Sequence, residues 1–199
     1  GADLTEDMGT EVGVEEHLNG VYKPILMSIT DAPQPWISAV NGAAAGIGSA
    51  FAQACDLSVM AEDAYIYQAF AAIGLIPDGG ATWHLVHTLG RKRAYELIVS
   101  GEKLKAQKCL ALGLCNRVAG TDTLLDEVPE WAQELANKAP LSLRYAKQAL
   151  NGAMEDTLPD TISNEAKLQH LCVTSDDFAE GVKAFKEKRA PKWGGSVNG

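Results

Sequence analysis

"VNGAAAGIGSA", Val40 to Ala50, is the stretch on which the fold turns. It continues "WISAV" (Trp36–Val40), a short apolar run that reads as a buried strand. It feeds a helix reaching about Cys55, on which Ile47, Phe51 and Ala54 share one face. Strand, small-residue turn and helix in that order let another group approach the backbone closely. The helix start also presents unpaired N–H groups and the positive end of the dipole. Such a turn suits an anion or a developing oxyanion. It serves equally, without any ligand, as a tight connection between a strand and a closely packed helix.

Working outward, "DLSVMA" (Asp56–Ala61) and "AYIY" (Ala64–Tyr67) read as two more strands. A helix is expected from near Gly79 to just before Gly90, then another ended by Gly101. "KAQKCLALGL" (Lys105–Leu114) gives a further helix and "CNRVA" (Cys115–Ala119) a short strand. Upstream, residues 11–30 place Val14, Leu18, Val21 and Ile25 at helical spacing, and "DAPQP" (Asp31–Pro35) then breaks the chain. After Thr121 only helical periodicity remains, over 123–138, 141–153, 159–172 and 176–189, the last with a stripe of Phe178, Val182 and Phe185. The pattern predicts an α/β core over residues 1–120 and a helical region over 121–199.

The 199 residues are 46% apolar, enough for one sizeable core with a helical piece appended. A formal charge of −9 argues against nucleic acid as a partner, because phosphate binding needs a basic face. No apolar run approaches the ~18 residues of a membrane span. The cysteines, Cys55, Cys109, Cys115 and Cys172, form no CxxC pair, which predicts a reduced, cytoplasmic protein with inert thiols.

The second informative stretch is "GLIPDGG", Gly74 to Gly80. Its acid, Asp78, admits two readings: an N-cap accepting from N–H groups further along, or a catalytic acid with a free oxygen. His84 and His87 lie three apart on one helix, but no third ligand of suitable spacing joins them, and no metal is expected. Ser49 stands at a helix start with no recognisable His–acid pair, so a nucleophilic serine is not expected either. Lys183, Lys186, Lys188, Arg189 and Lys192 form a basic cluster on an acidic chain. They read as a solvated helix end with cations at its negative pole, or as a local phosphate contact.

Taken together, "VNGAAAGIGSAFAQACDLSVMAEDAYIYQAFAAIGLIPDGGATWHL" (Val40–Leu85) closely resembles the core of the crotonase superfamily, the enoyl-CoA hydratases and isomerases. "GRKRAYELIVSGEKLKAQKCLALGLCNRV" (Gly90–Val118) and "DDFAEGVKAFKEKRAPKW" (Asp176–Trp193) resemble two later stretches of that family, in order. The resemblance implies a spiral of ββα units with C-terminal helices that join subunits into a homotrimer or a dimer of trimers. It implies an acyl-CoA thioester as partner, with coenzyme A carried by the substrate and no separate cofactor. It also implies an oxyanion hole of two backbone N–H donors. One matches Ile47, flanked by Gly46 and Gly48; the other matches Ala2 in the opening "GADL". Lys186 and Arg189 become the candidates for contact with the CoA phosphates.

The same resemblance shows where the chain departs from hydratases, which resemble one another in using two glutamates. The matching positions are Ala50 and Phe70, and neither side chain can carry a proton. Asp78 matches the position of the aspartate in isomerases of the superfamily. The implied chemistry is a single-base isomerisation: Asp78 takes a proton α or γ to the thioester carbonyl, and the donors at Ala2 and Ile47 hold the enolate. Phe70, Ile73 and Leu75 are the expected apolar neighbours, lining the substrate side and raising the Asp78 carboxyl by disfavouring its anion. Two rival readings remain at this point: a hydratase with unusual acids, and a non-catalytic oligomer that only binds CoA esters. Because several strands precede "GADL" in the family, this chain is expected to be the surviving part of a longer protein.

Overall fold

The structure, a computed structural model, describes residues 1–2 and 13–194. The chain divides into two units: Gly1–Asp31 with Trp36–Pro129, and Ala32–Pro35 with Glu130–Gly199.

In the first unit the chain order begins α1 (Val14–His17), a π-helical turn (Leu18–Tyr22), α2 (Lys23–Thr30), β1 (Ile37–Val40), β2 (Ala43–Ala45) and α3 (Ile47–Ala54). There follow β3 (Leu57–Ala61), β4 (Tyr65–Tyr67), a 3-10 turn (Ala71–Ile73), α4 (Ala81–Ser100), β5 (Lys103–Lys105), α5 (Ala106–Leu112) and β6 (Arg117–Ala119). The strands sort into two three-stranded sheets, β1-β3-β6 and β2-β4-β5. The first is parallel throughout, with Ile37 opposite Leu57 and Val59 opposite Arg117. In the second, β2 runs parallel to β4 and β5 runs antiparallel to it.

Each consecutive strand pair therefore splits between the sheets before a helix returns the chain: β1, β2, α3, then β3, β4, α4. This is the ββα order that the resemblance implies. Parallel neighbours need such crossovers, because a tight turn cannot join them. Central β3 is apolar and buried at Val59, Met60 and Ala61, as a strand covered on both faces must be.

Two strands escape the sequence reading. The three alanines of β2 carry neither alternation nor a β-branched residue. In β5, "KLK" buries Leu104 alone between two exposed lysines, the composition of a short sheet edge. The first helical segment also differs from expectation. Its buried face carries Leu26 and Ile29, while Val14, Val21 and Ile25 are exposed. The π-helical turn supplies the reason: it holds more residues per turn than an α-helix and so rotates the face of α1 relative to that of α2. Gly90 breaks α4 with φ 72° and ψ 157°, so the two expected helices are joined across a kink.

α6 (Leu124–Ala136) leads into the second unit, which continues with α7 (Pro140–Ala153), α8 (Leu158–Val173) and α9 (Asp176–Glu187). Thr157 and Ser175 cap α8 and α9 by accepting from the N–H groups of Asp160 and Phe178. The buried residues of α7, α8 and α9 are few: Lys147, Leu168, Asp177 and Ala184. Leu158, Ile162, Phe178 and Phe185 stand exposed, Phe185 at 85%. Among the described residues no helix is long and apolar enough to cross a membrane.

Candidate active site

The first element of the site is the start of α3. Gly46 precedes it with φ 54° and ψ −127°, a conformation that an L side chain adopts only under strain. Its N–H donates to the Tyr67 carbonyl at 3.0 Å, and its carbonyl accepts from the Ser49 N–H at 2.9 Å. The Ser49 hydroxyl donates to the same carbonyl at 2.8 Å. Ile47 is the first helical residue, so its N–H lies where a helix has no acceptor of its own. Its side chain is buried in a cluster with Leu26, Ile29, Ala50, Ala54 and Ala81.

The opening residues lie against this turn. Ala2 packs on the same cluster. A Cβ on Gly1 would meet the Ala45 carbonyl oxygen at 2.8 Å, and one on Gly48 would meet the Gly1 nitrogen at 3.0 Å. The two segments expected to supply oxyanion donors thus sit side by side, although one is reached only through the chain's first residues. Asp3 and Leu4, the rest of "GADL", lie outside the described residues.

The second element is the turn before α4. Gly79 has φ 58°, and a Cβ there would run into the end of the Ile47 side chain and stand 3.0 Å from the Ala50 Cβ. Only glycine allows the turn to press so closely on α3. Asp78 is the next residue back. The residue capping α4 is Gly80, and no side chain caps that helix. The Asp78 carbonyl accepts from the Ala81 N–H at 3.0 Å, while its carboxylate Oδ1 is buried with no hydrogen-bond partner among the described residues. The capping reading of Asp78 therefore falls, and the carboxylate keeps the free oxygen that a proton acceptor requires. Burial raises its carboxyl above the ordinary carboxylate range, against a smaller downward pull from its own backbone N–H.

Phe70 is buried and turns its ring toward Gly46, whose added Cβ would lie 3.8 Å from the ring edge. The Leu75 N–H returns to the Phe70 carbonyl at 2.9 Å, closing the intervening loop, but Ile73 and Leu75 themselves are exposed. Ala50 is wholly buried. Gln68 has no mark in the sequence beyond its position at the end of an apolar strand. It is fully buried, and its Nε2 donates to the Ser49 hydroxyl oxygen at 2.9 Å.

Lys186 and Arg189 belong to the second unit. Lys186 is exposed. The Arg189 guanidinium forks onto Glu180 at 2.6 and 3.0 Å and reaches Glu187 at 2.6 Å. Its charge is thus already balanced by two carboxylates. His84 and His87 both lie against Trp83, at 5.0 and 4.2 Å between ring centroids, and the His87 ring Nδ1 meets the Trp83 carbonyl at 2.8 Å.

Comparison with known proteins bears on this arrangement. The family model described as enoyl-CoA hydratase/isomerase matches residues 1–196. The 1,2-epoxyphenylacetyl-CoA isomerase of Escherichia coli K12 is 38% identical over 174 residues, which cover 87% of this chain and 66% of that protein. The chain therefore spans slightly less than two thirds of that relative. The 2,3-dehydroadipyl-CoA hydratase of the same organism is 33% identical over 195 residues, 98% of this chain and 76% of that one. Among solved structures, the enoyl-CoA hydratase of Bacillus anthracis superposes with a TM-score of 0.91 at 31% identity, covering 97% of this chain and 75% of its own.

Proposed function

This chain belongs to the enoyl-CoA hydratase/isomerase family, and on that premise we propose that it isomerises an acyl-CoA thioester with Asp78 as its single base. The relatives' names divide between isomerase and hydratase, so the choice rests on the chain's own residues. The observation that carries it is the Asp78 carboxylate: half-buried, with Oδ1 sealed from solvent and without a hydrogen-bond partner among the described residues, and not capping the helix, on a turn pressed against Ile47 and Ala50. Ala50 and Phe70 offer no proton-transferring group, which disfavours a two-carboxylate addition of water.

In this reading the thioester carbonyl oxygen lies between the N–H groups of Ile47 and Ala2. Asp78 removes a proton from the carbon α or γ to that carbonyl. The C–H electron pair moves into the conjugated system, and the charge collects on the oxygen held by the two donors. Asp78, now protonated, returns the proton to a different carbon, and the double bond has moved with no net change in atoms. Donors aimed where charge develops are worth several kcal/mol. A carboxyl raised toward neutral pH transfers protons better than an ordinary one. Phe70, Ile73 and Leu75 line the acyl side, coenzyme A arrives as part of the substrate, and no separate cofactor takes part. The exposed apolar side chains of the helical unit join copies into a trimer or a dimer of trimers in the cytoplasm; a monomeric native mass overturns that assembly.

The test of the activity is exchange of acyl-CoA protons in D2O across several chain lengths, measured beside CoA-ester binding and hydration. Exchange without hydration, lost in Asp78→Asn while binding persists, is the expected result. Hydration at a comparable rate overturns the choice of isomerase. Binding with no exchange at all establishes the chain as a binding protein instead.

A further inference from the structure

We propose that Gln68 is a positioning residue for the oxyanion hole, acting through the Ser49 hydroxyl on the peptide that carries the Ile47 N–H. The inference rests on the reading of that N–H as an oxyanion donor and extends it to groups that never touch the substrate.

The Gly46 carbonyl and the Ile47 N–H are opposite ends of one planar trans peptide, so fixing the direction of the first fixes the second. That carbonyl is held twice by the same residue, by the Ser49 N–H at 2.9 Å and by the Ser49 hydroxyl at 2.8 Å. A hydroxyl carries one proton and can give it in only one direction. Gln68 decides the direction. Its Nε2 donates to Ser49 Oγ at 2.9 Å and occupies the oxygen as an acceptor, which leaves the hydroxyl proton for Gly46. With the amide reversed, its oxygen would draw that proton away. The adjacent residue completes the clamp, since the Tyr67 carbonyl holds the Gly46 N–H at 3.0 Å. One short segment thus fixes the turn on both sides.

The arrangement carries a cost that marks it as more than packing. Gln68 is 0% exposed, and its Oε1 has no hydrogen-bond partner among the described residues. An apolar side chain of similar size would remove that unpaired oxygen from the interior. Stability alone therefore favours leucine or methionine at this position. What the amide gives in return is the aim of one hydroxyl proton.

The prediction separates stability from chemistry. In the full chain, Gln68→Leu melts at or above the parent temperature, yet its acyl-CoA exchange rate falls ~10- to 100-fold with KM little changed. The loss stays below the ~10²–10³ that accompanies outright removal of an oxyanion donor. The direct readout is the infrared carbonyl band of bound butyryl-CoA labelled with 13C at the thioester carbon. The parent chain shifts this band to lower frequency; Gln68→Leu moves it back toward the free value. Ser49→Ala does the same, the double variant adds nothing further, and Ser49→Thr, which keeps the hydroxyl, retains the parent band. A parent-like band in both Gln68→Leu and Ser49→Ala overturns the proposal while leaving the proposed activity standing. A parent chain that binds the thioester with an unshifted band, or does not bind it, overturns the oxyanion reading and this proposal with it.

Discussion

Asp78 in the first unit and Glu180 in the second are treated in opposite ways. Glu180 accepts from both terminal nitrogens of Arg189 and from the Lys192 N–H, at 2.6 to 3.0 Å. Hydrogen bonds from Arg189 hold its carboxyl down to about 2. Asp78 has an oxygen sealed from water with no hydrogen-bond partner among the described residues, and its carboxyl is pushed up. A carboxylate supplied with donors has its charge engaged in holding the C-terminal segment to α9. One with an unpartnered oxygen stays free to take a proton, and perturbed acids of this kind mark candidate functional sites.

The largest effect expected from breaking this contrast is in Asp78→Asn. Exchange of acyl-CoA protons falls ~10²–10⁴-fold, the span of a lost general base, while the melting temperature at pH 7 rises. An unchanged rate in deuterium-exchange kinetics removes Asp78 from the chemistry. Next is Gly79→Ala. Its methyl group meets Ile47 and Ala50 in a left-handed conformation, and urea unfolding is expected to show a loss of about 2–5 kcal/mol. Parent-like stability there means that the turn does not press on α3.

The third effect is in the pH dependence, where the two acids have opposite signs. The carboxyl of Asp78 is raised in the folded state, so its ionisation destabilises the fold as pH rises from the ordinary carboxylate range through the raised value. The carboxyl of Glu180 is lowered, so its contribution is full above the ordinary value of 4.5 and lost as pH falls toward about 2. Melting curves taken from pH 2 to 8 should show Asp78→Asn above the parent and Glu180→Gln below it at neutral pH. Both differences close on acidification, from opposite sides. Two variants that shift in the same direction break the comparison. The smallest effect is in Glu187→Gln, which removes only the negative charge facing Arg189 Nε and leaves the fork on Glu180. Its melting curve should overlay the parent.

The alternation of strands with helices was legible because β1, β3 and β4 are short apolar runs and because Gly90 and Gly101 stand where helical periodicity stops, while the ββα order itself came only from the family resemblance. β2 and β5 were not, since their pairing is set by neighbours distant in sequence and each is only three residues long. At the site, Ile47 could be named only through the resemblance to the family; Asp78, one acid beside two glycines, was a candidate from the residues, and its role as base came from the same resemblance. Whether Asp78 caps a helix or stands free depends on where its carboxylate points, which no spacing encodes. Gln68 was invisible for a related reason: a buried amide differs from an exposed one only through what surrounds it. In the basic cluster at residues 183–192, the pairing of Arg189 was not legible either, because its partners lie two and nine residues earlier on what looks like a solvated helix.

The close approach of Gly79 to Ala50 also restricts how this site can change. Ala50 is wholly buried, and the turn that carries Asp78 fills the space into which a longer side chain at position 50 would grow. An acid at 50 and this turn beside it are therefore alternatives. A single Ala50→Glu exchange in the present background displaces Gly79, and the existing base moves before any second one is in place. The path from a one-acid to a two-acid layout runs through a valley. Position 50 does not cross it alone: glycine at 79 is already the smallest residue, so the backbone of the turn must move with it.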